Sequence, residues 1–350
     1  SWRAIKDVTI AEDLVEEIAR LYGYDNIISS LPSMSIKPPA KNKQVNLERK
    51  MRDLLAFEHG FSETYNYSFM SPELIDRIGE DKNKYIELNN PIAKDRPFLR
   101  RQIVPNMLVN LEMNLHRFEK VKLFEIGRIY LLENGGEQIE FGSGNKLPKQ
   151  DSVLGMVYAE KGVFVPFYEL SENILYVLNR LGYNAKMKTA EIKNKKLIHA
   201  GRYAEIHVDG KYIGYIGELH PMAQEAFGIP YRVALLEIKL SLLCALAARE
   251  AGYKPLANFP SIARDIAFTV DKSIPHERIV EAIRQADNLI DSVELFDMYE
   301  GKQVGEGKKS LAYHIVYQSD ERTLETKDVD IIQKRVLENL ENKFQAEIRQ

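Results

Sequence analysis

In Leu311-Ala312-Tyr313-His314-Ile315-Val316-Tyr317 (residues 311–317), Leu311, Tyr313, Ile315 and Tyr317 recur at every second position, as expected for a strand that turns one face to a core. Working outward, Ile266, Phe268 and Val270 alternate in the same way and predict an earlier strand. Between the two, Ile279, Ile283 and Ala286 stand at helical spacing, and Val293 to Met298 reads as another strand. Its apolar phase slips at Phe296, which predicts a bulge. Beyond residue 317, Val329, Ile332, Val336 and Leu340 mark a second helix, and Phe344, Ala346 and Ile348 a closing strand. Residues 255–350 therefore read as βαββαβ.

That order is the ferredoxin-like arrangement, with two helices on one sheet face and the other face open to a partner or to solvent. It carries no function by itself. Upstream, residues 31–44 hold three prolines and several lysines without periodicity, and read as a linker. Residues 45–250 mix the two periods, as an α+β domain does. Helices are expected near 46–58 and over 104–117, and strands over 63–70 and 121–130. A loop is expected over 133–151, where Gly135-Gly136 and Gly142-Ser143-Gly144 lie. Asp209-Gly210 between strands 202–208 and 211–218 is a two-residue hairpin signal, so the sheet is at least partly antiparallel.

The 350 residues, 45% of them hydrophobic, suffice for two folded units and part of a third. The single cysteine, Cys244, excludes an internal disulfide and a multi-cysteine zinc site, and is expected to be a buried thiol. No apolar run approaches the roughly 20 residues of a membrane span and no basic-then-apolar leader opens the chain, so the expectation is a cytoplasmic protein with no membrane partner. Because it opens at Ser1, directly before an acidic motif, the sequence reads as a piece of something longer. Net charge is −3, and residues 255–350 hold 13 Lys+Arg against 18 Asp+Glu. Nucleic-acid modules are usually basic, so any RNA contact there must be a local patch.

Near the start, Leu14, Val15, Ile18 and Tyr22 predict an amphipathic helix over 11–22, ended by Gly23, with its apolar stripe toward a core. Asp13, Glu16 and Glu17 share the opposite face, and Asp7 lies on a segment read as extended that could return to them. Four hard oxygen donors at this spacing suit Mg²⁺. Acids in a first helical turn also arise simply by complementing the macrodipole.

The stretch from Trp2 to Ile27 resembles the β subunit of bacterial phenylalanyl-tRNA synthetase, and the resemblance runs to the C-terminus. In the centre it rests on Tyr67-Ser68-Phe69, Leu88-Asn89-Asn90-Pro91-Ile92, Leu123-Phe124-Glu125-Ile126-Gly127-Arg128, His199-Ala200-Gly201-Arg202 and Ile216-Gly217-Glu218-Leu219-His220-Pro221. At the end it rests on Phe259 to Ile266, Val293 to Gly301, Gly307 to Ala312 and Arg322-Thr323-Leu324. The resemblance implies a C-terminal fragment of that subunit: residues 1–30 finish a magnesium-carrying domain, 45–250 form a class II synthetase-like domain on an antiparallel sheet, and 255–350 a ferredoxin-fold anticodon-binding domain. It implies Mg²⁺ on Asp7, Asp13, Glu16 and Glu17. It implies as partners tRNA and the catalytic α subunit, which uses ATP for the holoenzyme, in a dimer of αβ units. The family's editing activity lies in upstream domains.

This chain carries no catalytic residues by the same reading. Class II adenylation needs fixed arginines on the phosphoryl group, and the one Arg-x-Glu, Arg117-Phe118-Glu119, ends a predicted helix and reads as a surface pair. Gly142-Ser143-Gly144 is followed by Asn145, Lys146 and Leu147, not by the spaced arginine. Gly305 to Ser310 lacks the first glycine of a phosphate loop, because Lys302 stands there. His199, His207 and His220 read as paired or core histidines rather than a zinc site, and Tyr65, Tyr67 and Phe69 as packing. For tRNA contacts the candidates are Arg264, Tyr299, Lys308 and Arg322, as stacking or phosphate-binding groups. A protein-assembly scaffold without RNA contact, or a competent synthetase, are the rival readings.

Overall fold

The computed structural model describes residues 4–35, 37–138, 146–163, 165–192, 196–249, 257–301, 304, 305 and 307–348. The chain divides into two compact units, residues 1–250 and 251–350.

In the first unit, helix α1 (Ala4–Asp7) precedes α2 (Ala11–Tyr22), and α3 (Lys43–Asp53) runs on as the π-helical turn Leu54–Glu58. Asn42 caps α3, so the helix takes the last two residues of the expected linker. There follow strands β1 (Ser62–Glu63) and β2 (Phe69–Met70), helix α4 (Pro72–Arg77), strands β3 (Ile86–Glu87) and β4 (Phe98–Leu99), and helix α5 (Val104–Leu115). The long hairpin β5 (Lys120–Gln138) and β6 (Lys146–Glu160) comes next, then α6 (Pro166–Arg180), β7 (Ala185–Thr189), β8 (Ile198–Val208) and β9 (Lys211–Leu219). Helix α7 (Pro221–Ala226), β10 (Val233–Lys239) and α8 (Leu240–Cys244) complete the unit.

Among the described residues its main sheet is ordered β1-β5-β6-β10-β9-β8-β7, antiparallel except where β1 joins β5. Alternation along the strands sends two side-chain sets to opposite faces. Leu123, Val153, Val157 and Leu235 meet α4 and α5, while Phe124, Met156, Tyr158 and Leu236 meet α3, α6 and α8. Helix α5 lies close because Gly155 is bare: a Cβ there would sit 3.0 Å from Ile103 Cγ2 and Met107 Sδ. The Asp209-Gly210 turn forms as expected, with φ of 49° and 78°, the left-handed pair a two-residue hairpin needs.

Several expectations fail. Residues 63–70 are not one strand: β1 and β2 belong to different sheets, and the chain between leaves Tyr65 95% and Tyr67 73% exposed, so these rings are not core. Alternation predicts burial only where a strand stays in a sheet. Most of the expected 133–151 loop is hairpin, since β5 continues to Gln138 and β6 begins at Lys146; Gly142-Ser143-Gly144 and Asn145 lie outside the described residues. Asp7 ends a helical turn instead of lying on an extended segment. Helix α2 forms and stops at Gly23 (φ 89°), yet it buries none of its residues, with Leu14, Val15, Ile18, Leu21 and Tyr22 all more than half exposed. A stripe is buried only if an element faces it, and among the described residues the main neighbour of α2 is the short turn Tyr24–Asn26.

The second unit comprises β11 (Ile262–Asp271), α9 (His276–Arg284), β12 (Ile290–Tyr299), β13 (Lys308–Tyr317), α10 (Thr326–Phe344) and β14 (Glu347–Ile348). Its sheet order, β12-β13-β11-β14, is that of the ferredoxin-like fold. Leu311, Tyr313, Ile315 and Tyr317 pack with Ile279, Ile283, Val329 and Val336 under the two helices. The register of β12 on β13 shifts between Leu295 and Asp297, the expected bulge at Phe296. The last strand is shorter than expected, because Phe344 still belongs to α10.

Candidate functional site

Register sorts the tRNA candidates. The row Tyr299–Ser310–Thr269–Glu347 crosses the open face, away from the helices, and Tyr299 is 44% exposed there. Lys308 pairs in register with Asp271 at one end of the same face, and its ammonium contacts Glu347. Arg264 pairs with Ile315 and so lies on the helix side; its guanidinium donates to the Ala263 carbonyl at 3.1 Å, while Asp265 is held by His314 at 2.6 Å. Arg322, between β13 and α10, bonds Asp328 at 2.8 Å, which raises the arginine's pKa and lowers the carboxyl's. Thus the fold brings Tyr299 and Lys308 to one face, places Arg264 on the other, and commits Arg322 to its turn.

Two of the four expected metal donors, Asp13 and Glu17, are engaged locally. Asp13 accepts from the Thr9 and Ile10 amides at 2.7 and 3.0 Å, bonds that lower its pKa, and Glu17 takes Arg20 at 2.5 Å. Asp7 ends a separate helical turn. Among the described residues no three His, Cys, Asp or Glu side chains converge as a metal-holding group. As arranged, Asp7, Asp13, Glu16 and Glu17 do not fit a hard divalent ion, which needs several free oxygen donors at one point.

On the main sheet, three buried carboxylates that sequence reading missed are also engaged. Glu125 bonds Arg100 at 2.6 Å, the two side chains being 1% and 3% exposed, and also takes Asn66 Nδ2 at 2.7 Å. Glu218 holds Arg232 through both oxygens at 2.7 Å and Arg202 at 3.3 Å. Glu237 accepts the Ile103 and Val104 amides at 2.6 and 3.0 Å, capping α5 from β10. Their one local signal is a charge at a core-phase position inside a strand. Other motifs are structural: His199 and His220 stack at 6.2 Å, with burial, then Arg202, lowering the His199 pKa, and His220 caps α7. Arg117 and Glu119 are exposed, but Glu119 pairs with Lys161 at 2.6 Å rather than with Arg117. Cys244 is partly buried against the α3–α6 side of the core.

The family described as "Phenylalanyl tRNA synthetase beta chain CLM domain" matches residues 27–240, and "Ferredoxin-fold anticodon binding domain" matches 257–349. Phenylalanine–tRNA ligase beta subunits of Clostridium acetobutylicum, Bifidobacterium longum and Geobacillus kaustophilus are 34%, 33% and 32% identical to this chain, over 98%, 96% and 98% of it and 42%, 42% and 43% of their own lengths. The chain thus spans about two fifths of the curated relatives it matches. Among solved structures, a pyrrolysyl tRNA synthetase from Desulfitobacterium hafniense is 16% identical with a TM-score of 0.45, covering 57% of this chain and 66% of that one. The class is an aminoacyl-tRNA synthetase component in which an antiparallel α+β body is joined to a ferredoxin-fold anticodon-binding domain. Within that class, the chain belongs to the phenylalanyl-tRNA synthetase β-chain family.

Proposed function

We propose that this chain, as part of the β subunit, assembles with the catalytic α subunit of a cytoplasmic phenylalanine–tRNA ligase built as a dimer of αβ units, and binds the anticodon region of tRNA. The observation that carries the proposal is the complete βαββαβ unit with an uncovered sheet face, at the residues that match the anticodon-binding family. Tyr299 offers a ring for base stacking there, and Lys308 a cation for phosphate once Glu347 releases it. Activation of phenylalanine by ATP belongs to the partner. Glu125, Glu218 and Glu237, the buried carboxylates of the main sheet named above, are each tied to fixed partners, which supports a body with no active site of its own.

Binding of the chain to phenylalanine tRNA and to an anticodon-swapped version, at two salt concentrations, tests it. Discrimination by anticodon that weakens with salt is expected. Equal binding, or none, sinks anticodon recognition by this chain, and with none the acidic row Glu294–His314–Asp265 on the open face favours the scaffold reading.

A further inference from the structure

Where β8 meets β9 the two strands fall out of step. Ile198 pairs with Leu219 and Tyr203 with Gly217, so residues 199–202 bulge against the single residue Glu218. A bulge leaves its extra residues unpaired and re-aims their side chains. This one lies close on β9 because Gly217 is bare: a Cβ there would sit 2.5 Å from Ile198 Cγ2 and 3.0 Å from the Arg202 carbonyl oxygen. His199 and Arg202 are thereby set beside Glu218 and His220, with the two imidazoles stacked at 6.2 Å.

The stack and the Glu218 clamp hold their own elements together and still have donors to spare. Both histidines are fixed in the same way, the Gly201 amide donating to His199 Nδ1 at 3.1 Å and the Met222 amide to His220 Nδ1 at 3.2 Å. An imidazole that accepts at Nδ1 carries its proton on Nε2 and donates there. It has no lone pair at Nε2 for a metal. Burial, then Arg202, lowers the His199 pKa, which keeps that ring neutral at pH 7. Both rings are partly exposed. Arg232 grips both oxygens of Glu218 at 2.7 Å, whereas Arg202 reaches the same carboxylate at 3.3 Å through one nitrogen, with a side chain 40% exposed. Two guanidiniums against one carboxylate leave a positive charge over. A clamp that only held the bulge would need neither the second arginine nor a free N–H edge on two imidazoles. A guanidinium joined by N–H donors, around a carboxylate already paired, is the recognition chemistry of phosphate.

We infer that His199, Arg202 and His220 form a phosphoryl-binding site on the main sheet, which takes a backbone phosphate of tRNA outside the anticodon arm or the phosphate of a free nucleotide. The inference stands apart from the anticodon reading. Two probes test it on the whole chain: AMP, and an acceptor–T-arm minihelix lacking the anticodon arm. Each is followed by proton–nitrogen NMR of the imidazole rings, and the minihelix also by fluorescence anisotropy over a salt series. At least one probe is expected to shift the Nε2–H signals of His199 and His220. R202Q, in which Arg232 still holds Glu218, should weaken that probe about tenfold. For the minihelix it should also cut the log–log salt slope by about 0.7–0.9, one phosphate contact. H199N/H220N keeps a side-chain oxygen for the Gly201 and Met222 amides while removing both Nε2–H donors. It should weaken binding several-fold with the slope unchanged and circular dichroism matching the parent chain. A response to AMP alone assigns the site to a nucleotide, and one to the minihelix alone assigns it to tRNA. The inference is overturned if neither probe moves the ring signals, or if R202Q and H199N/H220N bind both probes as the parent chain does. Because neither probe contains an anticodon, failure of the anticodon reading leaves these outcomes unchanged.

Discussion

Replacing Glu237 by alanine takes away a cap that helix α5 cannot supply for itself. The helix opens with Ile103 at its N-cap, which has no side-chain acceptor, and Pro105 within its first two positions, so the exposed donors are the Ile103 and Val104 amides. Both point to Glu237 Oε1, at 2.6 and 3.0 Å, inside the core. Losing a cap costs about 1 kcal/mol. Here the acceptor is charged, and hydrogen bonds to charged groups contribute about 1.5–3 kcal/mol. The overlapping dipole interaction adds up to about 1 kcal/mol, and the buried Tyr215, which also bonds Glu237, loses a partner. We expect E237A to lose about 3 kcal/mol, a melting temperature lower by about 6–12 °C for a unit of this size. E237Q keeps an oxygen for the amides and should lose only about 1 kcal/mol. Urea denaturation of the three proteins, followed by far-UV circular dichroism, reads the differences. If E237A stays within about 0.5 kcal/mol of the parent chain, the scatter of ordinary surface substitutions, or if E237Q is as damaging as E237A, the tertiary cap is not what holds α5.

Arg100→Met strands Glu125 in a site where both side chains are nearly inaccessible, and should cost about 3–5 kcal/mol, whereas Arg100→Met with Glu125→Leu should recover most of it; equal destabilisation in a double-mutant cycle by urea melts counts against the pair. His276 stacks on Tyr313 at 5.6 Å and hydrogen-bonds its hydroxyl at 2.9 Å, and burial, then Lys309, lowers its pKa. Its folded pKa lies below the unfolded value near 6.5, so the stability it contributes is complete above about pH 6.5 and is lost as pH falls through the folded value. A proton NMR titration of the His276 ring is expected to give a midpoint below about 6.5; one at or above that value contradicts the burial.

Elements whose cause lies within a few residues are legible in the sequence. Leu311, Tyr313, Ile315 and Tyr317 name their own buried face, Asp209-Gly210 its own turn, and the slip at Phe296 its own bulge, because backbone pleat and φ preference act locally. The α2 stripe is equally plain and still misleads, since amphipathicity says which face seeks cover and not whether cover is there. Tyr65 and Tyr67 mislead in the same way, as alternation cannot show that the chain leaves one sheet for another between β1 and β2.

By itself, then, the sequence determined the βαββαβ unit, the antiparallel hairpins and the family motifs. Only the tertiary structure decided that Glu237 would reach across 134 residues to cap α5, that Glu125 would neutralise Arg100, and that His199 would stack on His220. Those partnerships depend on strand order and register, which arise when distant segments compete to bury apolar area together. A charge at a core-phase position signals only that some partner must exist, because leaving it unpaired in a low-dielectric interior is too costly.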